Sequence, residues 1–201
     1  MRDMQEIILA SASPRRISLL RSLGVSFRVV PSQIEEDMNP SLPAPELALR
    51  QAGQKARAVA CKYPEAIVLG ADTVVCCEGE ILGKPRDYQE ALRMLRLLSG
   101  RSHEVSTGLA LIQESTGRMR EEVVTTKVFF RVLSEKEIQG YLATGESFDK
   151  AGGYGIQGYG ALLIEKIEGC YFNVVGLPLA KLGVMLKEFG VDLLCRCPSI
   201  T

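Results

Sequence analysis

Residues 66–77, AIVLGADTVVCC, are almost wholly apolar and end at a Glu-Gly-Glu turn. A run of this length, closed by turn residues, predicts a buried strand entering a hairpin. Asp72 interrupts it. An ionised carboxylate in such a strand costs several kcal/mol unless it is paired or metal-bound. Asp72 is therefore either a structural carboxylate, for instance capping a loop, or part of a functional site.

Strand and helix signals alternate around this run. Ile7–Leu9 and Phe27–Pro31 read as short strands, and a helix begins at Pro14. A Pro-rich loop spans 39–45, a helix runs from Glu46 to about Cys61, and another covers 87–98. The second half shifts to longer strands, 103–113 and 119–132, joined by the turn ESTGR. Ser134 caps a short helix through Ala143, and Asp149–Gly160 is a Gly-rich loop. A strand is expected over 161–167, and a final helix follows Pro178. The pattern predicts a two-lobed α/β fold around a mixed sheet, with a cleft between the lobes. The chain of 201 residues suits one domain, or one domain with two lobes. Residues 195–201 read as a tail.

Other residues also break local rules. Counting by three and four from Ala48 through Ala52 reaches Lys55 and then Val59, which puts an ammonium on the apolar face of a helix. Snorkelling at the helix edge is one reading; a site shared with Asp72 is the other. Ser11, Ser13 and Pro14 give a helix-start signal, so Arg15 and Arg16 fall in the first turn. Basic residues there oppose the helix dipole, and a bound anion removes the conflict. A surface helix with chance arginines is the bland alternative. Glu35 and Glu36 alone read as a solvated acidic pair, and Lys84 is held beside Pro85 after the hairpin. His103 is the only histidine and shows no partner nearby in sequence. Gln157, in the Gly-rich loop, offers a donor and an acceptor on one planar amide, which suits a pyrimidine edge or a mere turn.

Lys plus Arg equals Asp plus Glu at 24 each, so there is no basic footprint for duplex nucleic acid. Trp is absent and aromatics are few, so stacking platforms for single strands are not evident. No apolar run reaches a membrane span, and the opening MRDMQE lacks a secretory h-region. The six cysteines show neither disulfide-framework nor metal-site spacing, which predicts free thiols and a cytoplasmic protein.

Taken together, LASASPRR, the acidic pair, the Lys55 helix, LGADTVV, GKPRD, LSGRSHEVSTG, DKAGGYGIQG and VVGLPL resemble the Maf family of nucleotide pyrophosphatases. The resemblance spans about Ile7 to Leu194, so a Maf unit is expected over 1–194. It implies an ITPase-like fold and hydrolysis of a nucleoside triphosphate to monophosphate and pyrophosphate. It also implies a divalent metal (Mg²⁺ or Mn²⁺) and a homodimer. Asp72 matches the proton acceptor, with Lys55 and Lys84 as catalytic partners. Ser11, Arg15 and Arg16 match phosphate-binding positions, and Glu36 with Asp72 the metal ligands. Arg15, Thr73 and Gln157 match positions that set base preference. The form DKAGGYGIQG resembles the dTTP/UTP branch. The sequence is also similar to the version of the family that opens a longer chain with a methyltransferase-like domain, which implies such a region after the tail. Purine-directed hydrolysis and a silent nucleotide-binding module are the alternatives.

Overall fold

The computed structural model describes residues 5–34 and 42–194. Seven strands form one mixed sheet: β1 (Ile7–Leu9), β2 (Arg28–Val29), β3 (Ile67–Cys77), β4 (Glu80–Leu82), β5 (Ser102–Gln113), β6 (Arg118–Phe130) and β7 (Ile164–Glu168). The order is β2-β1-β3-β5-β6-β7, with β4 pairing β3 off this path. β1 runs parallel to β2 and β3, and the other pairings are antiparallel. The helices are α1 (Pro14–Ser22), α2 (Ala44–Ala60), α3 (Tyr88–Leu98), α4 (Glu135–Ala143), α5 (Tyr171–Val175) and α6 (Leu179–Glu188).

The sheet is continuous but its apolar packing divides. At one end, Leu92, Leu95 and Leu98 of α3 pack with Val128, Phe130 and Ile138. At the other, Leu20, Leu182 and Leu186 of α1 and α6 pack against Leu9, Leu69 and Leu111. A third cluster lies under α2, where Ala52, Ala56 and Val59 meet Ile8, Val68 and Ala110. The long strands β3 and β5 contribute residues to all three of these packed groups.

Two glycines seat α2 on the sheet. A Cβ on Gly70 would lie 2.1 Å from the Ala52 carbonyl oxygen, and one on Gly108 would lie 2.3 Å from that of Ala48. Only a bare backbone allows that approach. Gly108 pairs directly with Asp72 across β5 and β3. The close seat therefore delivers α2, and Lys55 on it, to the carboxylate.

Several boundaries differ from the sequence reading. Residues 161–163 belong to a 3₁₀ segment, Gly158–Leu163, and β7 starts only at Ile164. The glycine-rich approach keeps the chain tightly turned where apolar composition alone predicted extension. β5 begins at Ser102, one residue before the predicted strand, and contains His103. The helix α5 carries no amphipathic period in its five residues and was not expected from the sequence. Ser134 caps α4 as expected, and Glu137 completes a capping box with it. The four described cysteines, Cys61, Cys76, Cys77 and Cys170, are free thiols. Among the described residues, no helix is long and apolar enough to cross a membrane.

Candidate active site

The cleft opens where β3 loses its strand neighbours on one edge. β1 pairs with Ile67–Leu69, and β4 pairs with Val75–Cys77. Between them, residues 70–74 have no strand partner on that edge among the described residues. A cavity of about 700 Å³ occupies the gap. Asp72, Thr73, Lys55, Ser11, Arg15, Arg16, Lys84 and Gln157 all border it. Sequence positions separated by up to 146 residues thus meet at one break in the sheet.

Asp72 faces α2, and its Oδ1 accepts a hydrogen bond from Lys55 Nζ at 2.5 Å. Both side chains are about one-tenth exposed. The pairing supplies the counter-charge that a carboxylate in an apolar strand requires. Alternation along β3 turns Thr73 to the other face. There Thr73 Oγ1 accepts from Arg16 Nη2 at 3.0 Å and shares a hydrogen bond with Thr107 Oγ1 at 2.9 Å.

The two arginines of the first turn of α1 have different tasks. Arg16 is buried. Its Nε donates to the Gly176 carbonyl at 2.8 Å and its Nη1 to Ser11 Oγ at 3.2 Å. With Thr73, these contacts tie α1, β3 and the turn after α5 together. Arg15 instead reaches out, and its Nη1 donates to Asp149 Oδ2 at 2.9 Å at the start of the Gly-rich loop. Burial pushes the Asp149 carboxyl up, but hydrogen bonds from Lys150 and Arg15 outweigh it and hold it below its ordinary value. Ser13 occupies the N-cap of α1 and Pro14 follows, but the Ser13 hydroxyl makes no capping bond. The Ser13 N–H donates to Ser11 Oγ at 3.2 Å instead.

Lys84 and Gln157 are exposed at the rim, on opposite stretches of chain that touch through backbone. The Gly152 N–H donates to the Gly83 carbonyl at 3.0 Å, joining the Gly-rich loop to the segment that carries Lys84. Glu36, the second expected metal ligand, lies outside the described residues. Among the described residues no group of three His, Cys, Asp or Glu side chains forms a metal cluster.

Residues 6–189 match the family model for Maf-like protein. The chain belongs to the Maf family. Among curated relatives, the dTTP/UTP pyrophosphatase of Moorella thermoacetica is 52% identical over 94% of this chain and 97% of its own. That of Carboxydothermus hydrogenoformans is 51% identical over 92% of this chain and 99% of its own. The Dictyoglomus thermophilum dTTP/UTP pyrophosphatase is also 51% identical, over 94% and 99%. A solved structure from Mycobacterium abscessus, named nucleoside-triphosphatase / dITP/XTP pyrophosphatase, aligns at 14% identity and TM-score 0.46 over 96% of this chain and 100% of that chain.

Sequence reasoning missed several residues that shape this cleft. Thr107 donates to the Asn173 carbonyl at 2.9 Å, and Asn173 Nδ2 donates to Val105 O at 2.8 Å and to Thr126 Oγ1 at 2.9 Å. This buried polar chain runs from Arg16 and Thr73 through the sheet to α5. Thr107, polar at the start of the apolar run in β5, was the available signal; its partner Asn173, 66 residues away, was not.

Proposed function

We propose that this Maf protein hydrolyses dTTP and UTP to the monophosphate and pyrophosphate. The observation that carries the reading is the buried Asp72–Lys55 pair at the break in β3, beside two further cations, Arg15 and Lys84, on one cavity. The near-full-length relatives named dTTP/UTP pyrophosphatase support the substrate class.

In this reading Asp72 takes a proton from the attacking water. A new O–P bond forms at the α-phosphorus, the bond from it to the bridging oxygen breaks, and pyrophosphate leaves. Lys55 orients the carboxylate. Lys84 and Arg15 offset the negative charge that develops on the phosphates, commonly the largest catalytic term. Arg15 would exchange Asp149 for a phosphate. Arg16 holds Ser11 and Thr73 in place. Gln157 reads the pyrimidine, donating to O4 and accepting from N3–H.

The carboxylate and hydroxyl oxygens at the cavity are hard donors that fit Mg²⁺ or Mn²⁺, and the described residues there include no thiol or imidazole ligand set. Asp72 would hold such an ion together with Glu36, and the ion would supply charge neutralisation at the phosphates.

The test is pyrophosphate release with Mg²⁺ across dTTP, UTP, CTP, GTP and ATP, with wild type and Gln157→Glu. dTTP and UTP should lead for wild type, and Gln157→Glu should lower dTTP turnover while leaving the melting temperature nearly unchanged. A lead for GTP would overturn the pyrimidine reading, and no pyrophosphate from any substrate would overturn the activity.

A further inference from the structure

The Gly-rich loop that bears Gln157 is anchored by a buried aromatic side chain. Tyr154 is 5% exposed, and like its neighbours in the loop it borders the cavity. Its ring sits edge-on to Phe130, with centroids 4.7 Å apart, and edge-on to His103 at 5.3 Å. Its hydroxyl shares a hydrogen bond of 2.6 Å with His103 Nε2. Gly152, at φ 73°, packs against Val75 just before this anchor. On the far side, Glu146 accepts hydrogen bonds from the Tyr159 and Gly160 N–H groups. Gln157 lies between the two anchors, three residues after Tyr154.

His103 is a costly way to fill that space. Its Nδ1 is buried and has no hydrogen-bond partner among the described residues. A buried polar atom left unpartnered is destabilising, and an apolar ring of similar size avoids it. What the imidazole offers over such a ring is Nε2, aimed at a hydroxyl 51 residues away on the substrate-facing loop.

We propose that His103 is a positioning residue for pyrimidine recognition: through Tyr154 it fixes the Gly-rich loop so that Gln157 meets the base in one orientation. The proposal rests on the dTTP/UTP reading above. A flexible loop would leave the Gln157 amide to turn over and accept cytosine, whose donor–acceptor edge is reversed. A fixed loop restricts it. His103 touches no substrate and moves no proton in the reaction.

The test compares His103→Phe, Tyr154→Phe, the double variant and His103→Gln, using KM, kcat, the dTTP:CTP ratio of kcat/KM, and the melting temperature. Each Phe variant should raise KM for dTTP roughly three- to tenfold, the range of one lost hydrogen bond, with kcat within about twofold. The dTTP:CTP ratio should fall. The double variant leaves neither polar partner behind, so its melting temperature should recover toward wild type while the KM and selectivity defects persist. His103→Gln, which keeps a polar atom within reach of the hydroxyl, should restore much of the selectivity. A double variant with wild-type KM and wild-type dTTP:CTP ratio would overturn the proposal and leave the pyrophosphatase reading standing. A wild-type protein that does not turn over dTTP would overturn both.

Discussion

The strand wall of the cleft fixes its charges between regular elements, whereas the loop wall is held by a buried aromatic ring and a few contacts on either side of it. On the strand wall, Asp72 and Thr73 point to opposite faces of β3, and each meets a cation from a helix seated on that face. α2 cannot shift, because Gly70 and Gly108 hold its backbone against the sheet. On the loop wall, Gln157 is exposed, and its loop reaches the core through Tyr154, three residues away, with Ala151 and Ile156 packing partly buried on either side of it. The difference follows the chemistry. Proton transfer tolerates little displacement, and the groups proposed for it, Asp72 and Lys55, sit on a strand and a helix. Base choice varies between relatives of one fold more cheaply when it sits on a loop.

The largest effect should come from breaking the strand wall. Asp72→Asn should lower kcat by roughly 10²- to 10⁴-fold, the range for a lost general base, with the fold intact by circular dichroism. Lys55→Met should cost about 3 kcal/mol in urea unfolding, the low end for a broken buried pair because this one borders a cleft. The double Lys55→Met, Asp72→Asn variant should regain stability but not activity. Turnover by Asp72→Asn within tenfold of wild type would remove the distinction between the two walls.

The loop wall should fail in acid. Burial holds the His103 imidazole down to about 4, well below its ordinary 6.5. The unfolded chain takes up that proton first, so the native state is favoured fully above about pH 6.5 and loses stability as pH falls toward 4. The loss should reach roughly 3 kcal/mol from this one group. The unfolding free energy of His103→Phe should therefore fall less steeply than that of wild type between pH 6.5 and 4. Parallel curves would show that His103 is not buried in solution.

The smallest effect should come from the contact that crosses between the walls. Arg15 and Asp149 are 29% and 60% exposed, so Asp149→Asn should change stability by less than about 1 kcal/mol. A larger loss in thermal or urea unfolding would mean that this bridge, and not Tyr154, holds the loop.

The same contrast explains what was legible in the sequence. Asp72 and Lys55 stood out because each places an ionisable group where the apolar period requires a hydrophobic one. Arg15 and Arg16 stood out because they oppose the dipole of the helix they begin. The element order also followed from periodicity, with Ser134 and Asp87 capping helices as their side chains allow. The His103–Tyr154 pair had no such signal. A histidine at the start of a strand and a tyrosine among glycines each fit bland local roles, and only the fold brings them together. The separate task of Arg16 was hidden for the same reason, since Gly176 lies 160 residues away. Nothing in the strand pattern marks Gly70 and Gly108 as the seat of α2, which only the fold shows. Glu36 lies outside the described residues.

The most direct measurement is single-turnover hydrolysis of dTTP in ¹⁸O-labelled water with Mg²⁺, followed by mass spectrometry of both products. Attack at the α-phosphorus places the label in the nucleoside monophosphate, leaves the pyrophosphate unlabelled, and disappears with Asp72→Asn. Label in pyrophosphate, release of inorganic phosphate with a nucleoside diphosphate, or undiminished labelling by Asp72→Asn would contradict the chemistry assigned to this cleft.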